Sequence, residues 1–189
     1  MPKTIHLVLL FFLFLAGGNL FAQVQTETVT VDRVMDGDTF RLSNGQKLKL
    51  AGVNAPELHD TPKLPQEAKR FKKETWAFRQ LAAEAEQIAQ RFVKQTSKQI
   101  LIETATQTFD ERENLLGYVY LTLPNLEPGM EADGTIITAQ SGGYQIFLNA
   151  YLLKLGLAEL APASLDSKYK DLFVTLEAEA KSSKKGLWS

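Results

Sequence analysis

Residues 28–57 read TVTVDRVMDGDTFRLSNGQKLKLAGVNAPE, and this stretch decides the fold. Apolar and polar residues alternate in three short runs, 28–32, 39–42 and 47–50. Alternation with a period of two is typical of a strand that buries one face. Asp36-Gly37 and Asn44-Gly45 separate the runs, and both dipeptides accept positive φ and favour tight hairpins. The stretch therefore predicts three successive antiparallel strands, a β-meander.

The chain after this meander predicts further strands and helices. Residues 66–96 contain no glycine or proline and repeat apolar residues at helical spacing, which predicts one long amphipathic helix. Two more strands are predicted at 99–106 and 115–123. Two short helices are predicted at 147–155 and 167–183. Glycine, proline and polar residues fill 124–143, which predicts an irregular or hairpin-like surface insertion.

The order of these elements indicates an α+β fold dominated by a barrel. Five strands interrupted by a helix after the third, with two helices later, are typical of a small five-stranded barrel of the oligonucleotide/oligosaccharide-binding type. The prediction is therefore this barrel with three helices. With 189 residues and 44% hydrophobic residues, the chain is suited to one domain with a substantial core.

The N-terminal residues 1–22 are typical of a secretory signal peptide. Lys3 precedes an apolar run over 7–16, and small and polar residues follow before Ala22. The alternative, a membrane anchor, is disfavoured because spanning the hydrocarbon takes roughly 20 apolar residues. We therefore expect export to a periplasm or the medium, with no stable membrane association after cleavage and a mature domain over 23–189. The chain has no cysteine, so an exported product relies on core packing rather than disulfides.

Charge and histidine content exclude some function classes. Cleavage at the predicted site leaves 20 of the 21 cations against 22 anions, a net charge near −2. Proteins that neutralise many phosphates of a long duplex are usually basic, so extensive groove binding is not supported, whereas a site for one or two phosphates is compatible. Only His59 remains of the two histidines, which excludes multi-histidine metal sites and histidine-pair mechanisms.

Several motifs together resemble staphylococcal nuclease and its relatives. Residues 34–39 (VMDGDT) and 48–57 (LKLAGVNAPE) resemble the signature of this family. Residues 116–120 (LGYVY) resemble its fifth strand, residues 148–158 (LNAYLLKLGLA) its second helix, and residues 186–189 (GLWS) its terminal motif. The matches occur in order over nearly the whole of the expected mature chain.

This resemblance implies calcium-dependent hydrolysis of phosphodiester bonds in DNA and RNA by an acidic cluster. Asp36 and Asp38 match the first two acids of the family, and Glu57 matches the glutamate that activates water. The third acid falls on Asn54, whose amide oxygen can bind a metal but carries no charge. The resemblance thus implies a calcium site formed by Asp36, Asp38 and Asn54 and weakened by one charge.

The resemblance also implies two arginines, and both are replaced. The first falls on Lys49, which keeps the charge but not the bidentate guanidinium. The second falls on Asn114, two residues after Arg112. A shift of two residues along a strand keeps a side chain on the same face about 6.6 Å away, within reach of an arginine. Arg112 is thus a candidate catalytic cation, and the alternative is a surface partner of Glu111 or Glu113.

Each candidate also has a structural interpretation. Asp36 and Asn54 are residue types often chosen for turn geometry. Glu57 follows Pro56, which suits a base that projects from a rigid turn, but it could equally be a solvated loop glutamate or a cap.

The sequence therefore leads to two hypotheses. One is an exported, metal-dependent nuclease of reduced activity, with Glu57, Lys49 and Arg112 as catalytic residues and single-stranded DNA or RNA as its substrate. The other is a catalytically degenerate module that binds nucleic acid or a protein partner through the barrel face and the 124–143 insertion.

Overall fold

A computed structural model of the protein describes residues 26–59 and 62–189. The predicted signal peptide lies outside the described residues. Within these residues no helix is long and apolar enough to cross a membrane.

The N-terminal meander is confirmed. It comprises β1 (Thr26–Asp36), β2 (Thr39–Leu42) and β3 (Lys47–Leu50), all antiparallel neighbours, and a two-residue strand β4 (Val53–Asn54) follows. Gly45 has a φ of +86°, as its hairpin turn requires. Gly37 does not adopt positive φ but is required by packing, because a Cβ there would lie 2.5 Å from the Cβ of Ala85.

The single helix predicted over 66–96 is wrong at its N-terminal end. The structure has α1 (Leu64–Arg70) and α2 (Thr75–Gln95), which brings the number of helices to four within the described residues. Between them, Lys72 adopts a φ of +56° and the Lys73 N–H bonds back to the carbonyl of Ala68 at 2.9 Å. The break lets both helices contribute to a second apolar cluster, in which Leu64, Ala68, Phe78 and Leu187 are buried. No glycine or proline marks this turn in the sequence.

The barrel consists of β1, β2, β3 and two later strands, β5 (Gln99–Phe109) and β6 (Leu115–Leu123), and it closes by pairing β3 with β6. Both later strands follow α2 and lie close to the predicted strands. The strand order is β3-β2-β1-β5-β6, and a parallel pairing of β3 with β6 matches Leu48 with Leu115 and Leu50 with Gly117. Leu48 and Leu50 point into the barrel and are fully buried. The predicted fold class, a five-stranded α+β barrel of the oligonucleotide-binding type, is confirmed.

The insertion at 124–143 ends in a hairpin that extends the sheet. The hairpin consists of β7 (Ile137–Gln140) and β8 (Gly143–Phe147), and β8 pairs with β6. One oxygen of Asp133 accepts the N–H groups of Thr135, Ile136 and Ile137 at 2.7–3.0 Å, and the other accepts Lys154 Nζ at 2.9 Å. Burial opposes ionisation of Asp133, but these hydrogen bonds lower its pKa well below the usual range. Asp133 therefore anchors the insertion.

The C-terminal segment packs across the closing strands. It contains α3 (Leu148–Leu155), β9 (Glu159–Leu160), which pairs with β4, and α4 (Ser167–Ser182). Asn149 of α3 is fully buried. Its amide donates to the carbonyls of Ala51 and Gly117 at 2.9 and 3.2 Å, and its oxygen accepts the Val119 N–H at 2.9 Å. One side chain therefore ties α3 to both sides of the barrel closure.

Candidate active site

Four of the predicted site residues, Asp36, Asp38, Asn54 and Glu57, come from neighbouring segments at one edge of the barrel. Asp36 ends β1, and Asp38 lies in the turn before β2. The Leu50 N–H at the end of β3 donates to the Asp38 carbonyl at 2.8 Å, which holds this turn beside β3. Asn54 ends β4, and Glu57 follows it in a loop. The meander and the short β4 thus bring together these four residues that match the family motif.

Asp38 is the most buried acid of the site, with 2% of its surface exposed. Its Oδ1 accepts the Thr39 hydroxyl at 2.8 Å. Its Oδ2 accepts the Ala55 N–H at 2.9 Å and Lys49 Nζ at 3.1 Å. Each oxygen of this carboxylate therefore has at least one internal donor, as a buried charge requires. The role of Thr39 is not predictable from the motifs.

Lys49 lies between two groups that the resemblance assigns to a metal. Besides the ion pair with Asp38, its Nζ lies 3.4 Å from the amide oxygen of Asn54. The lysine side chain is 28% exposed, whereas the carboxylate of Asp38 is 3% exposed. The ammonium therefore neutralises the buried carboxylate while one side of it still meets solvent.

Asp36 is held in a less favourable environment. Its Oδ1 is buried without a hydrogen-bond partner. Burial raises the pKa of Asp36, and the carboxylates of Asp38 and Glu57 act in the same direction. A hydrogen bond from the Leu58 N–H and the proximity of His59 partly oppose this rise in pKa. The carboxyl of Asp36 is thus more easily protonated than an unperturbed aspartate.

Glu57 presents its carboxylate to solvent. The residue is exposed, whereas the preceding Pro56 is buried and fixes the start of the loop. Within the described residues Glu57 makes no hydrogen bond or ion pair. This exposure allows water to contact the carboxylate, which the predicted role of a general base requires.

The turn between β5 and β6 holds the residue that replaces the second arginine. Asn114 is 9% exposed, and its Nδ2 donates to Asp110 Oδ2 at 2.8 Å. The N–H groups of Arg112 and Asn114 both donate to Asp110 Oδ1 at 2.9 Å. Burial opposes ionisation of Asp110, but these hydrogen bonds and the charge of Lys49 lower its pKa. The motifs assign no role to Asp110, although aspartate commonly closes a turn by accepting the N–H two residues on, as it does here from Arg112.

Arg112 does not lie on a strand. The predicted two-residue shift along one strand face is wrong, because β5 ends at Phe109 and β6 begins at Leu115. Arg112 is instead an exposed residue of the turn, and no ion pair joins it to Glu111 or Glu113 in the described part of the chain. Its catalytic role stays a prediction.

The side chains as they lie do not fit calcium. Calcium takes six to eight oxygen ligands. Asp38 uses its oxygens for internal donors, and Asn54 faces an ammonium, so Asp36 Oδ1 is the one unpartnered oxygen of the three described side chains. Across residues 26–59 and 62–189, no group of three or more His, Cys, Asp or Glu residues is arranged to hold a metal ion. The assignment of Asp36, Asp38 and Asn54 as metal ligands stays a prediction.

Comparison with known families agrees with the order of the barrel strands and with the presence of Asp36, Asp38 and Glu57 at one edge of the barrel. The family described as staphylococcal nuclease homologue matches residues 47–189, more than half of the chain. The chain belongs to this family. As a staphylococcal nuclease homologue, it has Lys49, Asn54, Glu57 and Asn114 inside the matched range, whereas Asp36 and Asp38 precede it. No curated protein matches the chain.

Proposed function

We propose that this staphylococcal nuclease homologue is an exported phosphodiester hydrolase of reduced activity that acts on single-stranded nucleic acid. The observation that carries the proposal is the position of Glu57. Its exposed carboxylate follows a buried proline at the same edge of the barrel as Asp36 and the Lys49–Asp38 pair. The family supports nucleic acid as the target.

Glu57 has the role of general base. A base must lie within hydrogen-bond reach of the attacking water, and an unpaired carboxylate on a fixed loop meets this need. A Glu57→Gln change keeps the size of the side chain and removes its basicity. The proposal therefore makes Glu57 the residue whose loss abolishes cleavage.

Lys49 and Arg112 supply positive charge to the phosphate. Lys49 is partly exposed, so a phosphate oxygen can approach its ammonium, but the ion pair with Asp38 already uses part of that charge. Asn114 supplies no charge, and loss of one preorganised cationic donor costs on the order of 10² to 10³ in rate. These replacements are the reason for proposing reduced activity.

Calcium is the cofactor that the family implies. Because the oxygen ligands present do not fit calcium, Glu57, Lys49 and Arg112 carry the proposed roles without it. Calcium dependence is tested by measuring cleavage with calcium and with EDTA. Export is likewise proposed, on the strength of residues 1–22.

A binding module without hydrolysis is the second candidate, and the Lys49–Asp38 pair favours it. An ammonium placed among the oxygens of a metal site, together with an amide where the family has an arginine, is the arrangement expected after loss of catalysis. Such a module would bind nucleic acid or a protein partner.

The two functions differ in a cleavage assay. Purified protein from Gln23 onward is incubated with labelled single-stranded DNA and RNA, with calcium and with EDTA, beside Glu57→Gln and the matched exposed control Glu179→Gln. We expect slow cleavage by the wild type and by Glu179→Gln, and loss of at least about 100-fold in Glu57→Gln. Equal rates for the wild type and Glu57→Gln would contradict the hydrolase proposal and leave the binding module.

A further inference from the structure

Three cations form a row across the outside of the barrel. Arg33 on β1 is paired with Arg41 on β2, and Arg41 is paired with Lys47 on β3. Directly paired residues of antiparallel strands project from the same face, with Cβ atoms about 4.5–5.5 Å apart. Arg33 and Lys47 are exposed and Arg41 is half-buried, whereas the neighbouring Phe40 and Leu48 are fully buried. We call Arg33, Arg41 and Lys47 the basic row.

The basic row has no counterion among residues 26–59 and 62–189. Within the described residues, none of its three members makes an ion pair or a side-chain hydrogen bond. Like charges directly opposite one another on a sheet are destabilising. The sheet therefore places positive charge here at a cost in stability and leaves it open to an external anion.

The row leads to the candidate active site. Lys49 lies two residues beyond Lys47 on β3, on the same face and about 6.6 Å further along the strand. At the other end, Arg33 borders a cavity of about 600 Å³ that is also lined by Lys94 and Lys98. Asp32 is the one acid among the described residues that line this cavity. Cationic side chains are thus present from the cavity, along the basic row, to Lys49.

The number of cations in the basic row suits a single strand rather than a long duplex. A protein that binds a long duplex neutralises many phosphates and is usually basic, whereas this chain carries 21 Lys and Arg against 22 Asp and Glu. A groove of a few cations that follows the backbone is a feature of proteins that bind single strands.

We propose that the basic row binds the phosphate backbone of single-stranded nucleic acid and directs it toward Lys49. The proposal rests on the proposed function because it takes nucleic acid as the target. It reconciles a slightly acidic protein with an anionic ligand, since three local cations suffice for a few phosphates.

Binding is measured without cleavage so that the proposal stands apart from the hydrolase. The Glu57→Gln protein is titrated in EDTA against a fluorescein-labelled oligothymidylate of about 12 nucleotides, within the site size of one such barrel. The row variant carries Arg33→Gln, Arg41→Gln and Lys47→Gln. The matched control carries Lys69→Gln, Lys170→Gln and Lys184→Gln, which remove the same charge from exposed positions elsewhere.

We expect the row variant to bind on the order of tenfold more weakly than the control variant at about 0.1 M salt. The slope of log K against log salt should fall by about 2, because each lost contact with a single strand contributes about 0.7. Its melting temperature should not fall, since like-charge repulsion is removed.

Three outcomes would overturn the proposal: no binding by the parent protein, equal weakening in both triple variants, or equally tight binding of a duplex of the same length. Row-dependent binding in a protein that cleaves nothing would support the basic row and contradict only the hydrolase.

Discussion

At the scale of single residues, Lys49 neutralises the buried carboxylate of Asp38 and so affects whether a metal ion can bind there. The Lys49 ammonium lies 3.1 Å from Asp38 Oδ2 and 3.4 Å from Asn54 Oδ1, two groups that are predicted to bind a metal. We expect Lys49→Met to cost about 1–2 kcal/mol of unfolding free energy without calcium, because it leaves a buried carboxylate without its charge partner. We also expect calcium to stabilise this variant more than the wild type, raising the melting temperature by about 2–4 °C at concentrations roughly tenfold above Kd.

Lys47→Met is the matched control for that experiment. Lys47 lies on the same strand and is exposed, but it has no ion pair in the described part of the chain. Thermal melts of the three proteins with calcium, magnesium and EDTA measure the effect without reference to activity. An identical calcium shift in the wild type and Lys49→Met would show that the ammonium does not compete with a metal.

Asp36 gives a pH-dependent prediction at the same scale. Burial, with Asp38 and Glu57 nearby, raises its pKa in the folded state above the value of 3.8 for an unperturbed aspartate. The folded protein therefore binds this proton more tightly than the unfolded chain, so stability falls as pH rises through the folded pKa. Asp36→Asn should remove this loss and stabilise the protein at pH 7 by roughly 0.5–1 kcal/mol.

Urea unfolding at several pH values tests this sign. The advantage of Asp36→Asn over the wild type should shrink as pH falls toward 3.8 and below. An advantage that grows on acidification would mean that Asp36 is stabilised as an anion in the folded protein.

At the scale of elements, Asn149 connects α3 to the barrel closure. It makes three hydrogen bonds, to Ala51, Gly117 and Val119, and it is fully buried. Asn149→Ala should cost about 2–4 kcal/mol, because it leaves buried backbone groups without partners and creates a cavity. Urea unfolding of this variant beside Asn125→Ala, an exposed asparagine of the insertion, measures the difference. A loss below about 1 kcal/mol would mean that water replaces the side chain.

The elements also show which parts of the secondary structure the sequence could predict and which it could not. The meander was predictable because alternation and an Asn-Gly turn are local signals. The break between α1 and α2 was not predictable, because Lys72 adopts positive φ although it is not a glycine or asparagine, and the neighbouring Phe71 packs on Phe78 and on the distant Trp188. The pairing of β4 with β9 was likewise hidden, since two-residue strands carry no pattern of their own.

At the scale of the whole molecule, the family motifs predicted the barrel and the neighbourhood of the candidate site. They did not predict how the charges are arranged within it. The ion pair of Lys49 with Asp38 and the link of Asn114 to Asp110 depend on contacts across strands that no spacing reveals. The basic row was equally invisible, because it requires the register of three strands at once.

The parallel pairing of β3 with β6 has a kinetic consequence. It joins Leu48 to Leu115, far apart in the chain, across the whole of α1, α2 and β5. Contacts of such long sequence separation slow folding, because the entropy of closing the loop must be overcome before they are made. Lys49 and the Asp110 turn lie on opposite sides of this seam. We therefore expect the edge that holds the candidate catalytic groups to be completed late in folding.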